Sequence, residues 1–138
     1  MTAGLCWSQV RAGEELKGFS LELTMTRMVA QVSGTQDFYP VHHDPEFARQ
    51  GGHRDIFANT AFLRGCLCRI VTDWMGADGF LRALSFQMRR PNFLGETIAV
   101  RGRVRKTIAP DRVDLELWIE NGGEVTVPAT ATVILPAS

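Results

Sequence analysis

Asn59-Thr60-Ala61-Phe62-Leu63-Arg64-Gly65-Cys66-Leu67-Cys68-Arg69-Ile70-Val71-Thr72-Asp73-Trp74-Met75-Gly76 is the stretch that decides the fold. Asn59 has the chemistry of a helix N-cap and Gly76 that of a helix stop. Between them Phe62, Leu63, Cys66, Leu67, Ile70, Val71 and Trp74 recur at spacings of one, three and four, a wide apolar stripe at the helical period. Only Arg64, Arg69 and Asp73 are charged. So apolar a helix predicts a sheet wrapped around it. Gly65 sits mid-helix at a cost of about 1 kcal/mol against Ala, which predicts the close approach of another backbone. Cys66 and Cys68 are two apart, point to different faces, and read as core thiols rather than a metal pair.

Beyond the helix the chain reads as strands over about 81–89, 97–108, 113–121 and 125–134, with Pro110-Asp111 and Asn121-Gly122-Gly123 as turns. Before it, Phe19, Leu21, Leu23 and Met25 alternate with polar residues, the period of a half-buried strand. Thr26 is a candidate cap for a short helix through Met28 and Val32 that ends near Gly34. Residues 1–18 have no clear period and form an N-terminal arm, with Trp7 placed to pack over the sheet. One long helix against an antiparallel sheet is an α+β arrangement. The chain reads as one domain over 1–138.

Between the short helix and the long one lies Asp37-Phe38-Tyr39-Pro40-Val41-His42-His43-Asp44-Pro45-Glu46-Phe47. Pro40 fixes its own φ and biases Tyr39 away from helix, so a bent, largely extended loop is expected here. Such a loop can aim Asp37 and His42 at one point, as proton-transfer chemistry requires. Taken alone, the two also fit a turn aspartate and a surface histidine. Asp44-Pro45-Glu46 is a helix start, and Gly51-Gly52 ends that helix.

Asp37-x-x-Pro40-Val41-His42, followed by Asp44-Pro45-Glu46-Phe47-Ala48, resembles the signature of the MaoC-like dehydratases, or (R)-specific enoyl-CoA hydratases. The likeness runs on through Gly51-Gly52, Asp55-Ile56-Phe57 and Pro91-x-Phe93-x-Gly95-Glu96-Thr97, from about Phe19 to the C-terminus. Within that family, Val41-His42-His43-Asp44, Asp55-Ile56-Phe57-x-Asn59 and Val71-Thr72-Asp73-Trp74 are most similar to the small subunit of a steroid-side-chain enoyl-CoA hydratase. The resemblance implies a hotdog fold and reversible addition of water across a trans-2-enoyl thioester, with Asp37 and His42 holding the water. It implies a thioester oxygen at the start of the long helix, against the backbone N–H of Thr60, where the family usually has Gly. Asn59 offers a side-chain donor there, set against its role as a cap. Two departures stand out: Gln36 replaces the family's Gly and Tyr39 its Asn. Tyr39, with the likeness to a steroid-processing subunit, points to a bulky or steroid-like acyl group. CoA enters as part of the substrate, so no separate cofactor is implied. An acyl-carrier thioester fits equally. Arg89 and Arg90 precede the loop that shapes the family's CoA groove and are candidate phosphate ligands. In the family two such domains pair into one sheet, so a homodimer or a heteromer with a second MaoC-like subunit is expected.

Composition sets the bounds. Lys+Arg and Asp+Glu number 15 each, which argues against a nucleic-acid partner. No apolar run reaches membrane-span length, no signal peptide is legible at the start, and three cysteines make no disulfide framework, so a cytoplasmic protein is expected. Arg101, Arg103 and Arg105 alternate along one strand and read as its solvent face. A His43-Asp44 metal site would need further ligands, and only His53 remains. Two rival functions stay in view. A hotdog thioesterase would use an acid on the helix, where only Asp73 is available. A pairing subunit would shape a partner's tunnel. In a solvated pocket, replacing either member of the dyad would cost no core volume.

Overall fold

The computed structural model describes residues 4–138; Met1 to Ala3, where the predicted arm begins, lie outside them. Five strands form one antiparallel sheet: β1 (Phe19–Glu22), β2 (Phe80–Phe86), β3 (Thr97–Ile108), β4 (Arg112–Asn121) and β5 (Glu124–Ile134), in the order β1-β3-β4-β5-β2. Alternation sets the two faces. Ile98, Val100 and Val104 of β3, the odd-numbered Val113 to Ile119 of β4, and Val127, Ala129, Ala131 and Val133 of β5 are all buried. Register shifts at Leu81/Ala83, Val104/Lys106 and Ile119/Glu120 bend the strands, as bulges do.

The bent sheet curls around the long helix, here α3 (Thr60–Met75), whose Leu63, Leu67, Ile70 and Val71 are buried in the same core as the inner face of the sheet. This is the hotdog arrangement that the resemblance implied. Two shorter helices, α1 (Met25–Thr35) and α2 (Pro45–Gln50), lie between β1 and α3. No helix among the described residues is long and apolar enough to cross a membrane.

Several expectations shift by a few residues. Thr24, not Thr26, caps α1, accepting from Arg27 N, so β1 ends at Glu22 and Met25 is helical. Gly34 lies inside α1; the chain leaves the helix at Gln36, a non-glycine residue at φ 58°. Gly65 is exposed, and a Cβ there would meet nothing within 4 Å among the described residues, so the predicted close approach is absent. The close approach is at Gly102 instead, where a Cβ would come within 2.7 Å of Leu117.

On the solvent face, Arg101 pairs with Glu120 at 2.6 Å and Arg103 with Glu116 at 2.8 Å across β3 and β4. The arm pairs with β3 beyond β1: Leu16 N donates to Gly102 O and Val104 N to Glu14 O. Trp7 is fixed by its indole N–H, which donates to Arg112 O at 3.0 Å.

Candidate active site

Left-handed Gln36 turns the chain out of α1 and delivers Asp37 one residue later. The Asp37 carboxylate accepts from Tyr39 N at 3.3 Å, a local turn of the kind aspartate favours. Pro40–His42 then form one turn of 3₁₀ helix, not the extended loop expected from Pro40. The reason is local: proline's fixed φ suits the first position of a helical turn. Tyr39 before it stays non-helical at φ −59°, ψ 124°. Pro40 O then accepts from both His43 N and Asp44 N, and Asp44 caps α2 by accepting from Glu46 N and Phe47 N.

The turn brings His42 back to Asp37, with Nε2 3.4 Å from Oδ2. The imidazole is 8% exposed and the carboxylate 41%. On its other edge His42 Nδ1 donates to Phe57 O at 2.8 Å. A carbonyl oxygen can only accept, so Nδ1 carries a proton in every charge state of the ring. Nε2 is therefore the atom that gains or loses a proton, and it faces Asp37. His43 is exposed and turns away, its Nε2 bonded to Phe38 O at 3.0 Å.

A closed circuit of hydrogen bonds ties this pair to the start of α3. Phe57 O also accepts from Gln31 Nε2 at 3.3 Å, and Gln31 Oε1 accepts from Asn59 N at 2.9 Å. Asn59 Nδ2 donates to Thr35 Oγ1 at 2.8 Å, and Asp37 N reaches the same hydroxyl at 3.4 Å. Asn59 is 1% exposed, and its Oδ1 caps α3 by accepting from Phe62 N at 2.8 Å. The geometry thus commits its side chain to capping. The cap leaves the Thr60 and Ala61 N–H groups without acceptors among the described residues, at the positive end of the helix dipole. Thr60 itself is exposed beside Met88, with Oγ1 3.6 Å from Sδ.

Tyr39 forms part of an apolar rim outside the dyad. Its ring is 58% exposed and edge-on to His42 at 6.2 Å and to Phe47 at 5.8 Å. The two arginines part ways. Arg90 is engaged with Glu124 at 2.9 Å and with the carbonyls of Pro91 and Asn121, which makes it a tie between loops. Arg89 makes no ion pair among the described residues and lines an open groove with Arg103, Arg105 and Trp118, a groove that neither Asp37 nor His42 lines. Asp73, the thioesterase candidate, sits in the last turns of α3, paired with Arg69 at 3.6 Å.

Three participants were not singled out from sequence: Gln31, Thr35 and the Phe57 carbonyl. Gln31 and Thr35 are one helical turn apart on α1, and a glutamine between buried Met28 and Val32 is a polar residue on an apolar face. That was a readable signal. A backbone carbonyl gives none.

No protein-family model matches the chain. The sequence is similar to the 3-oxo-4,17-pregnadiene-20-carboxyl-CoA hydratase beta subunit of Mycobacterium tuberculosis, 33% identical over 79 residues, or 57% of this chain. The match spans 61% of that protein's length. Among solved structures, the ChsH1-ChsH2 complex from the same organism contains a chain that superposes with a TM-score of 0.87 at 26% identity, covering 92% of this chain and 99% of that one. The R-hydratase PhaJ1 from Pseudomonas aeruginosa superposes with a TM-score of 0.88 over 98% of this chain and 88% of that one. At 16% identity the latter is a likeness of fold alone.

Proposed function

As a hotdog-fold relative of the MaoC-like dehydratases and (R)-hydratases, this chain is, we propose, the site-bearing subunit of an enoyl-thioester hydratase. The observation that carries the reading is the fixed direction of His42: Nδ1 is locked on Phe57 O, and Nε2 shares one space with the Asp37 carboxylate. A water in front of the pair can bond both the Asp37 carboxylate and His42 Nε2. The cycle starts from Nε2–H: as the water oxygen adds to Cβ of the enoyl thioester, Asp37 takes one of the water's protons and Nε2 gives its own proton to Cα. The proton left on Asp37 returns to Nε2 across the gap between them, which resets the pair. Dehydration runs the same path backwards. The enolate charge on the thioester oxygen is met by the free N–H groups of Thr60 and Ala61, donors that need no reorganisation.

The apolar rim of Tyr39 and Phe47 would seat a bulky or ring-containing acyl group, in line with the substrate in the name of the curated relative. Exposed Arg89 is the better of the two arginines for a CoA phosphate, because Arg90 is already engaged. A second MaoC-like subunit, or a second copy, would pair at the open edge of β2, where Phe80 is 65% exposed. The three free thiols suit a reducing cytoplasm.

The test is loss of enoyl absorbance on incubation with crotonyl-CoA and with a panel of ring-bearing enoyl-CoAs, alongside a thiol reagent. Hydration should consume the enoyl signal without releasing thiol, and faster for the bulky thioesters. Thiol release with the enoyl group intact would make the chain a thioesterase instead. A folded protein that hydrates only when mixed with a MaoC-like partner would establish the heteromer.

A further inference from the structure

The carboxamide of Gln31 makes three directed bonds beside the dyad, as many as the Thr35 hydroxyl, yet the proposed chemistry has no step for it. It lies on the inner face of α1 and is 4% exposed. Oε1 accepts from Asn59 N at 2.9 Å, while Nε2 donates to Phe57 O and meets Met28 Sδ, each at 3.3 Å. The orientation is forced, because Asn59 N–H can only donate and Phe57 C=O can only accept. Those two groups flank Ala58. On the opposite side of the same segment, Ala58 N donates to Asn92 O and Leu94 N to Ile56 O. The carboxamide therefore makes the two bonds that a neighbouring parallel strand would make, one to the carbonyl before Ala58 and one to the amide after it.

We infer that Gln31 is a positioning residue that holds the Phe57 carbonyl on His42 Nδ1 and, with the same amide group, fixes the first turn of α3. A methionine would fill the same volume without desolvating a carboxamide. Only the carboxamide joins the carbonyl that orients the imidazole to the residue that caps the thioester end. Without it the Phe57–Ala58 peptide is held from one side only, by Ala58 N on Asn92 O; the carbonyl can tilt about that bond, the hold on the His42 Nδ1 proton weakens, and Nε2 no longer aims at one place. Thr35, one turn on, performs the matching task for Asp37: its hydroxyl donates to Gln31 O at 2.6 Å and accepts from Asp37 N and Asn59 Nδ2.

The kinetic part of this inference rests on the hydratase reading; its spectroscopic part does not. Nitrogen-15 resonances of the His42 ring, assigned in the full chain at a pH where the imidazole is neutral, should report a single Nδ1–H tautomer. Gln31→Met and Gln31→Glu should each give a mixture of tautomers with the circular dichroism unchanged. Read at a pH where the new carboxyl is ionised, the glutamate keeps the acceptor for Asn59 N but has no donor for Phe57 O. In hydration assays kcat should fall about 10- to 100-fold, the scale on which misplacement of reacting groups acts. KM should stay within about twofold, the pattern of a lost transition-state interaction. Thr35→Val, which removes the bonds to Asp37 N, Asn59 Nδ2 and Gln31 O but leaves the Gln31 carboxamide on Phe57 O, should keep the single tautomer. A single Nδ1–H tautomer in a folded Gln31 variant overturns the inference, and so does the same mixture in Thr35→Val. If Gln31→Met does not fold, Gln31→Glu and Thr35→Val still decide. If the unaltered protein hydrates no enoyl thioester, the hydratase reading fails and the tautomer result stands by itself.

Discussion

Replacing the two dyad residues should give different stability results and similar kinetic ones. Asp37 is 41% exposed, and its Oδ1 accepts from Tyr39 N, a bond that asparagine can also make. Asp37→Asn should therefore leave Tm almost unchanged while lowering kcat by about 10²- to 10⁴-fold, the usual contribution of a general acid–base group. His42 is different, and the sequence expectation of no lost core volume does not hold for it. The ring is 8% exposed, edge-on to Phe57 at 5.1 Å, and bonded to a backbone carbonyl. Truncation to Ala removes burial worth about 1.5–2 kcal/mol and a hydrogen bond worth about 1 kcal/mol. Roughly 3 kcal/mol corresponds to about 10 °C in Tm for a chain of this size. His42→Gln keeps much of the volume and a donor for Phe57 O, so it is the variant for kinetics. If the two residues act on one water, as proposed, the double variant Asp37→Asn/His42→Gln should be hardly worse than either single. The assay is hydration of an enoyl-CoA by each variant, with thermal melts run in parallel. Normal turnover in Asp37→Asn, or a loss confined to His43→Ala, would show that the chemistry lies elsewhere.

Three further predictions follow from particular residues. Gln36→Gly should raise stability by up to about 1 kcal/mol, since a left-handed residue with a Cβ carries strain of that order; a lower Tm would mean that the bond from Gln36 Nε2 to Ser33 O matters more. Gly65→Ala should also stabilise, by about 0.5–1 kcal/mol, because it is an exposed helix-interior glycine with open space around it; destabilisation in a melt would reveal another chain packed there. Asp114 is held below its ordinary carboxyl range, first by its hydrogen bond from Arg112, then by the Arg112 charge, Thr132 and Lys106, against an opposing effect of burial. A depressed folded-state value gives stability that is present above the unfolded value and lost as pH falls through the folded one. Tm should therefore drop more steeply on acidification below about pH 4 in the native protein than in Asp114→Asn, and equal slopes would refute the assignment.

What the sequence made legible was what local chemistry decides. Asn59 and Gly76 bracket α3 because a cap and a stop act on their own turn of helix. Asp44 with Pro45 starts α2 for the same reason. The ends that moved were settled by tertiary contacts. The strand expected to run to residue 89 ends at Phe86, although Gln87 N and Arg89 N still donate to β5 carbonyls, so the pairing outlasts regular strand geometry. Thr24 displaced Thr26 as a cap because β1 stops where Leu23 turns into the core, at 0% exposure. In the site, Asp37 and His42 could be read as a pair because they lie on one short loop. The acceptor that orients His42 lies fifteen residues further on, in backbone, and no side chain announces it.

The two members of the pair are held by different means, and the difference bears on how the site works. His42 is anchored from the core side, through Phe57 O, Gln31 and the segment that leads into α3. Asp37 hangs from the end of α1, fixed by its own turn, by left-handed Gln36 before it and by Thr35, with its carboxylate open to solvent. A water seated in front of the pair and bonded to both would therefore meet one wall that the fold cannot easily move and one that can adjust by small changes in a single turn. Substrate entering over Tyr39 would press on the adjustable wall first. The 3.4 Å between Nε2 and Oδ2 is long for a direct hydrogen bond. Such spacings commonly tighten only when substrate is in place, and here the element free to close the distance is the Asp37 side, since the His42 side is already tied at its far edge.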